Sequence, residues 1–370
     1  MLPVLAAALA TASSMTWLVV PLVSYNSDDG LAGGAAGQVQ WVGDVRPYRA
    51  ALGAQVLFTT AGVQSHYFRL DVPRLFGSPL RMWLSAEFHR ELTAPYYGLG
   101  NQSSDDLADH PGITGPHAFA YQRRFPLGLL AFTLPFGDSG LRFSTFARFL
   151  HTKIDLYPGS LLATEQPPGT GGGDELSYGF GVFLDRRDKE VVPTRGYLLE
   201  AATRGSVAGF ASDQSYAGAT ARALGFLPVG SRIVLASRIE GDILTAGTPL
   251  FELSRFGGID PVEGVGGERS VRGLPKARFV GRGKALATAE LRVKMLDKSL
   301  LEHLVSFGLV AFVDAGRVWE LKGNDGDFFD LHTAAGGGLR VWQDEFLLRF
   351  DVGTSAERAV NVYLTFGNFF

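Results

Sequence analysis

Strict two-residue alternation runs through almost the whole chain, and it narrows what this polypeptide can become more than any other feature. Over residues 287–295, Thr288, Glu290, Arg292 and Lys294 share one face, and Ala287, Ala289, Leu291, Val293 and Met295 share the other. In residues 305–314 one face is wholly apolar (Val305, Phe307, Leu309, Ala311, Val313). The opposite face carries Ser306, Gly308, Val310, Phe312 and Asp314. Leu348, Phe350 and Val352 alternate with Arg349 and Asp351, and Val362, Leu364 and Phe366 alternate with Tyr363, Thr365 and Gly367. This period is that of β-strands with two different environments. It predicts an all-β protein.

A soluble sandwich alternates as well, so the connections have to discriminate. Counting from Trp17, sixteen strands can be read. Most odd-to-even joins are long and rich in Gly and Pro, around residues 92–117, 157–175, 206–214 and 248–283. Most even-to-odd joins are tight, at residues 77–79, 136–140, 228–231 and 343–345. Short turns on one side and long loops on the other characterise an outer-membrane barrel, and an even strand number places both termini on the short-turn, periplasmic side. Sixteen tilted strands with about 10 membrane residues each take up roughly 160 residues, which the chain supplies with ample remainder for loops. A closed sheet also satisfies every backbone donor and acceptor without a lipid-facing edge. The expectation is a 16-stranded antiparallel transmembrane β-barrel.

Composition removes other classes. Gly accounts for 47 of 370 residues, well above the usual ~7%. With no Cys, disulfide scaffolds and Cys-ligated zinc or iron–sulfur sites are excluded. A formal net charge of −3 lacks the basic excess of a nucleic-acid binder. No interior window has the ~18 uncharged apolar residues of a membrane helix. Residues 1–27 carry no charge, and an apolar core at residues 4–10 precedes small residues suited to cleavage. Residues 1–12 are therefore read as a signal segment and 13–370 as the barrel. Pro21 and the turn behind it count against a membrane helix in the same place.

Catalytic signals are absent from the pattern. Gly137-Asp138-Ser139-Gly140 echoes a protease nucleophile segment but lacks a matching His segment, and fits a tight turn. The seven His show no metal-ligand spacing, and the segment from Gly281 to Ala285 lacks the features of a phosphate loop. Asp105, Asp106 and Asp109 read as a solvated loop. Arg238, Glu240, Arg340 and Arg349 are expected in a structural ion-pair network. No enzyme activity and no cofactor are expected.

Three motifs carry a family resemblance. Asp185-Arg186-Arg187-Asp188 followed by Pro193-Thr194-Arg195-Gly196-Tyr197 resembles the D-x-R-D…P-T-R-G turn of the bacterial surface antigen family, the barrel domain of the BamA/TamA superfamily. Val271-Arg272-Gly273-Leu274, in the longest loop, resembles the V-R-G-F/Y motif of that family's sixth extracellular loop, with Leu274 in place of the aromatic. Phe312-Val313-Asp314-Ala315-Gly316 resembles the F-x-D-x-G motif of strand thirteen. Weaker matches lie at residues 25–31, 73–77 and 97–101.

The resemblance implies that the long sixth loop folds into the lumen and that Arg272 meets Asp314, with Glu290 as a second acceptor. The chemistry agrees, because a guanidinium fork can engage a carboxylate bidentately. It further implies that the first and last strands form a lateral gate. Pro21 would weaken this seam, since proline cannot donate to a ladder, and the terminal Phe370 resembles an assembly signal. The first strand begins near Met15, so no POTRA module is expected before it. The implied location is the bacterial outer membrane, in contact with its lipids. The implied role is protein or lipid translocation or outer-membrane assembly. Separate periplasmic or POTRA-bearing partners and an unfolded outer-membrane or secreted polypeptide as client go with that role. A passive pore or structural surface antigen is the alternative reading, and a membrane partner of a separate lipase the third.

Overall fold

The alternating segments pair with their sequence neighbours all the way round. A computed structural model describes residues 14–43, 48–190, 192–258, 261–300, 303–320, 325–343, 346–357 and 360–366. Its first strands are β1 (Ser14–Asn26), β2 (Gly30–Val42), β3 (Ala50–Thr59), β4 (Gln64–Val72) and β5 (Arg81–Pro95). They are followed by β6 (Ala120–Pro135), β7 (Leu141–Leu156), β8 (Gly172–Asp185), β9 (Gly196–Ser206), β10 (Tyr216–Pro228) and β11 (Ile233–Leu244). The last five are β12 (Gly283–Leu300), β13 (His303–Trp319), β14 (His332–Gln343), β15 (Phe346–Ser355) and β16 (Asn361–Phe366). Each strand is antiparallel to the next, and β1 pairs with β16, so the sheet is a closed 16-stranded barrel.

Among the described residues, two short α-helices sit in the long connections, α1 (Leu161–Glu165) after β7 and α2 (Leu250–Leu253) after β11. No described helix is long and apolar enough to cross a membrane; the strands do so.

Alternation converts directly into two surfaces. On β13, Ser306, Gly308, Val310, Phe312 and Asp314 are buried, whereas Leu309, Ala311 and Val313 between them are exposed. Around the ring, Trp17, Phe68, Phe180, Ile239 and Val313 are among the exposed large apolar side chains. Buried polar groups include Arg148, Glu175, Arg204, Asp242, Glu290 and Arg349. Apolar residues outside and charges inside invert the soluble arrangement, and they suit a barrel whose outer face meets hydrocarbon.

The wall is uneven. β12 and β13 form the tallest ladder, from Gly283↔Trp319 to Leu300↔His303, with a bulge between Lys294 and Leu296. Among the described residues the closing ladder is the shortest, its register comprising Tyr25↔Leu364 and Asn26↔Tyr363. The Ser27 N–H extends it by donating to the Val362 carbonyl at 3.1 Å. Residues 1–12, read above as a signal segment, and Phe370 lie outside the described residues.

Candidate functional site

Residues 245–282 connect β11 to β12, and the conspicuous charge cluster lies where this loop meets the buried faces of β12, β13 and β15. Asp314 accepts from Arg272 three times: from Nε at 2.8 Å, from Nη2 at 2.9 Å and from the backbone N–H at 3.2 Å. Nη1 donates to Glu290 at 2.6 Å and lies 3.8 Å from Asp351. The guanidinium carbon stands 3.4 Å from the centre of the Phe312 ring. Arg272 and Asp314 are both completely buried. A buried cation is tolerable only when its hydrogen bonds and charge are met from all sides, and three carboxylates and one aromatic face meet Arg272. Further arginines balance these acids. Arg292 donates to Glu290 at 2.8 Å and Arg340 to Asp351 at 2.7 Å.

The neighbouring motif residues explain how the loop comes so close. Gly273 has no room for a Cβ, which would meet the Thr354 carbonyl and the Ala334 methyl at 2.6 Å. On the wall, a Cβ at Gly316 would meet Val265 at 2.6 Å and Val271 at 2.8 Å, and one at Gly353 would strike the Arg272 carbonyl. Phe312, Asp314 and Gly316 thus face the loop together as stacking surface, acceptor and clearance. Val271 and Leu274 are fully buried in an apolar cluster with Phe256, Val262, Val265 and Phe279 of the loop and Leu286, Val318 and Ala334 of the wall. Leu274, where the family motif has an aromatic, is covered without one. Ser355 donates to the Gly273 carbonyl at 2.7 Å, and the Tyr363 hydroxyl reaches the Leu274 carbonyl at 3.4 Å.

Sequence reasoning missed further attachments of this loop. Glu252, in α2 and fully buried, accepts from Arg148 of β7 and from Arg204 Nε of β9 at 3.2 Å. Arg148 also holds Glu175 at 2.5 Å, and Arg204 also holds Asp242 at 2.8 Å. Lys276 pairs with Glu91 of β5 at 2.9 Å. Arg278 pairs with Asp105 and Glu357, each at 3.3 Å. Asp105, read as solvated, is exposed and also pairs with Arg278. The signal for Glu252 was present as a lone charge within Leu250-Phe251-Glu252-Leu253.

Asn101, in one of the weaker motif matches, accepts from the Val318 N–H at 3.0 Å, and Gly100 donates to the Val280 carbonyl at 2.8 Å.

The predicted network of four wall charges forms only in part. Arg340 binds Asp351, Arg349 donates to Thr365 at 2.8 Å, and Arg238 donates to the loop carbonyl of Arg269 at 2.7 Å. Neither carboxylate oxygen of Glu240 has a hydrogen-bond partner among the described residues. Arg222 stands opposite both Glu200 and Glu240, and it donates to Glu200.

The Asp185–Gly196 motif lies apart, in the turn between β8 and β9, and the described side-chain hydrogen bonds of Asp185 and Asp188 stay within it. Asp185 accepts from Arg187 Nε and Nη2, each at 2.9 Å. Asp188 accepts from the Thr194 hydroxyl at 2.6 Å and from the N–H groups of Thr194 and Arg195 at 2.9 and 3.2 Å. Burial pushes the Asp188 carboxyl up, but these donors outweigh it and hold the group below the usual carboxylate range. Pro193 is buried. Gly196 adopts φ +98°, and a Cβ there would strike the Arg186 carbonyl.

Pro21 stands opposite Ala35 of β2. Successive residues of a strand direct their N–H and C=O to opposite neighbours. Because Ser27 donates to β16, residue 21, of the same parity, turns its donorless nitrogen toward the β16 side.

Residues 130–370, about two thirds of the chain, match the Omp85 superfamily domain. The chain belongs to the Omp85 superfamily. Similar solved structures extend the likeness over the remaining strands. BamA from Haemophilus ducreyi lacking POTRA domains 1–3 superposes with a TM-score of 0.62 at 16% identity, covering 96% of this chain and 70% of that one. CdiB from Escherichia coli gives 0.60 at 14% identity, covering 95% and 63%. CdiB from Acinetobacter baumannii gives 0.55 at 14%, covering 95% and 59%. At these identities the likeness is one of fold. No curated protein matches the sequence. Omp85-superfamily barrels reside in the bacterial outer membrane and function generally in outer-membrane protein assembly and translocation.

Proposed function

We propose that this Omp85 barrel is the membrane component of a polypeptide translocation or outer-membrane assembly system served by separate periplasmic or POTRA-bearing partners. In this reading residues 245–282 fold into the lumen and close it, Arg272 is their latch, and the β1–β16 junction is a lateral gate for an unfolded client. Residues 13–370 act as one barrel domain.

The observation that carries the reading is the contrast between the closing ladder and its neighbours. Ser24 and Val23 would fall opposite Thr365 and Phe366 in the same register, yet the described pairing stops at Tyr25↔Leu364. Pro21 contributes no donor on that side. The latch and the gate also share a residue. Tyr363 stands opposite Asn26 across the seam, and its hydroxyl touches the Leu274 carbonyl beside the latch. Movement of the loop tip is therefore felt at the gate strand.

In-cell photocrosslinking from a probe at Val20 or Val362 tests the proposal. Capture of nascent barrel proteins, a secreted polypeptide or a POTRA-bearing partner is the expected result. A well-expressed barrel that repeatedly traps no polypeptide there would return the reading to a passive pore.

A further inference from the structure

Beneath the latch, on the short-turn side, the barrel wall borders a partly open cavity of about 380 Å³. This lies within the usual size range of small-molecule sites. Its cations include Arg232, Arg292, Lys294, Arg340 and Arg349, and Glu290 is the one carboxylate among its described lining residues. Three of the guanidinium groups converge. Arg292 and Arg340 lie 2.7 and 3.9 Å from the two oxygens of Glu290, and Arg340 and Arg349 lie 2.7 and 4.0 Å from Asp351. Arg340 and Arg349 stand opposite each other in the β14–β15 register.

Other lining residues are of another kind. Val234, Val310, Trp342 and Leu347 give an apolar wall, and Pro193 and Thr194 of the β8–β9 turn border the cavity toward the short-turn side.

We infer that this cavity is a binding site for a phosphate-bearing amphiphile. A carboxylate offers one edge to one fork, whereas a phosphate presents oxygens in several directions to guanidinium groups on separate strands. The apolar wall distinguishes the ligand from free phosphate, which would gain nothing from Trp342 or Leu347. The site is tied to the latch, because Arg292 and Arg340 also neutralise Glu290 and Asp351, two of the acids around Arg272. An anion drawing on these arginines competes with the acids that hold the loop. The inference does not depend on a polypeptide crossing the barrel.

Calorimetric titration of the refolded barrel in nonionic detergent tests it, with heat-modifiable gel migration as the check of folding. Three probes separate the sources of binding: dihexanoyl phosphatidic acid, inorganic phosphate and dihexanoylglycerol. Saturable binding of the phosphatidic acid is expected, at least tenfold tighter than inorganic phosphate, with none for dihexanoylglycerol. Arg292→Gln should weaken it at least fivefold. Arg232→Glu, an exposed change at the β10–β11 turn that leaves the latch untouched, should weaken it in the same direction. Equal affinity for inorganic phosphate would overturn the amphiphile assignment. No saturable binding, or binding indifferent to Arg232→Glu in a folded barrel, would overturn the site.

Discussion

The wall formed by β12 to β15 and the junction of β1 with β16 are made from the same alternating strands, yet they are held in different ways. The first has the tallest ladder and a buried charge network, in which Arg272 binds Asp314 and Glu290 and further arginines neutralise the acids. The second has a ladder with two described pairs and a proline whose nitrogen faces the seam. Backbone pairing alone makes every strand boundary equivalent. In the proposed reading, side-chain charge and the number of described pairs distinguish the rigid boundary from the one that can part.

The largest expected effect comes from breaking the rigid side. Arg272→Ala leaves Asp314 buried without its cation, a loss of about 3–5 kcal/mol for removal of one partner of a buried pair. The barrel should melt earlier, and planar-bilayer recordings should show a higher and noisier conductance. Unchanged conductance would sink the account of the loop as a lumen plug.

Next in size is Glu252→Gln. Arg148 and Arg204 keep Glu175 and Asp242, so the cost should fall to about 1–3 kcal/mol, that of a charged hydrogen bond lost to burial. If it matched Arg272→Ala in melting and conductance, the loop would have two equal anchors, and the distinction between one latch and its auxiliaries would fail.

At the seam the difference should appear without mutation. Backbone amides of Val362 and Leu364 should exchange with deuterium faster than those of residues 287–295, because short ladders open locally at low free energy. Equal protection would remove the mechanical contrast. Pro21→Ala, which restores a donor on the seam side, should slow the same amides.

The smallest effect concerns the β8–β9 turn. The folded turn holds the Asp188 carboxyl lower than an unfolded chain does. Its contribution is therefore complete above the unfolded value, about 3.9, and is lost as pH falls through the lower folded one. Protection of the Thr194 and Arg195 amides should stay flat from neutrality to about pH 5 and fall below pH 4. Asp188→Asn should abolish that dependence while leaving the Arg272 region unaffected. A pH response at the latch amides instead would mean that the two motifs are coupled.

Much of this was legible beforehand. Alternation and the parity of long and short joins determined sixteen strands, which residues face inward and where the long loop lies, because a closed sheet in lipid permits no other arrangement of such a pattern. The motifs led to Arg272, Asp314 and Glu290 as a group. Glu252, Lys276 and Arg278 were not found, because their partners lie on β7, β9 and β5 and in distant loops. No local spacing states where a 38-residue connection passes each strand. Glu240 shows the converse error. Parity put it among arginines, but Arg222 stands between two glutamates and donates to the other. Sequence by itself determined the barrel and the polarity of each face, since both follow from local period. Only the tertiary structure decided which charges meet and where Gly273, Gly316 and Gly353 must leave room. Those outcomes depend on three-dimensional distances between segments far apart in the chain.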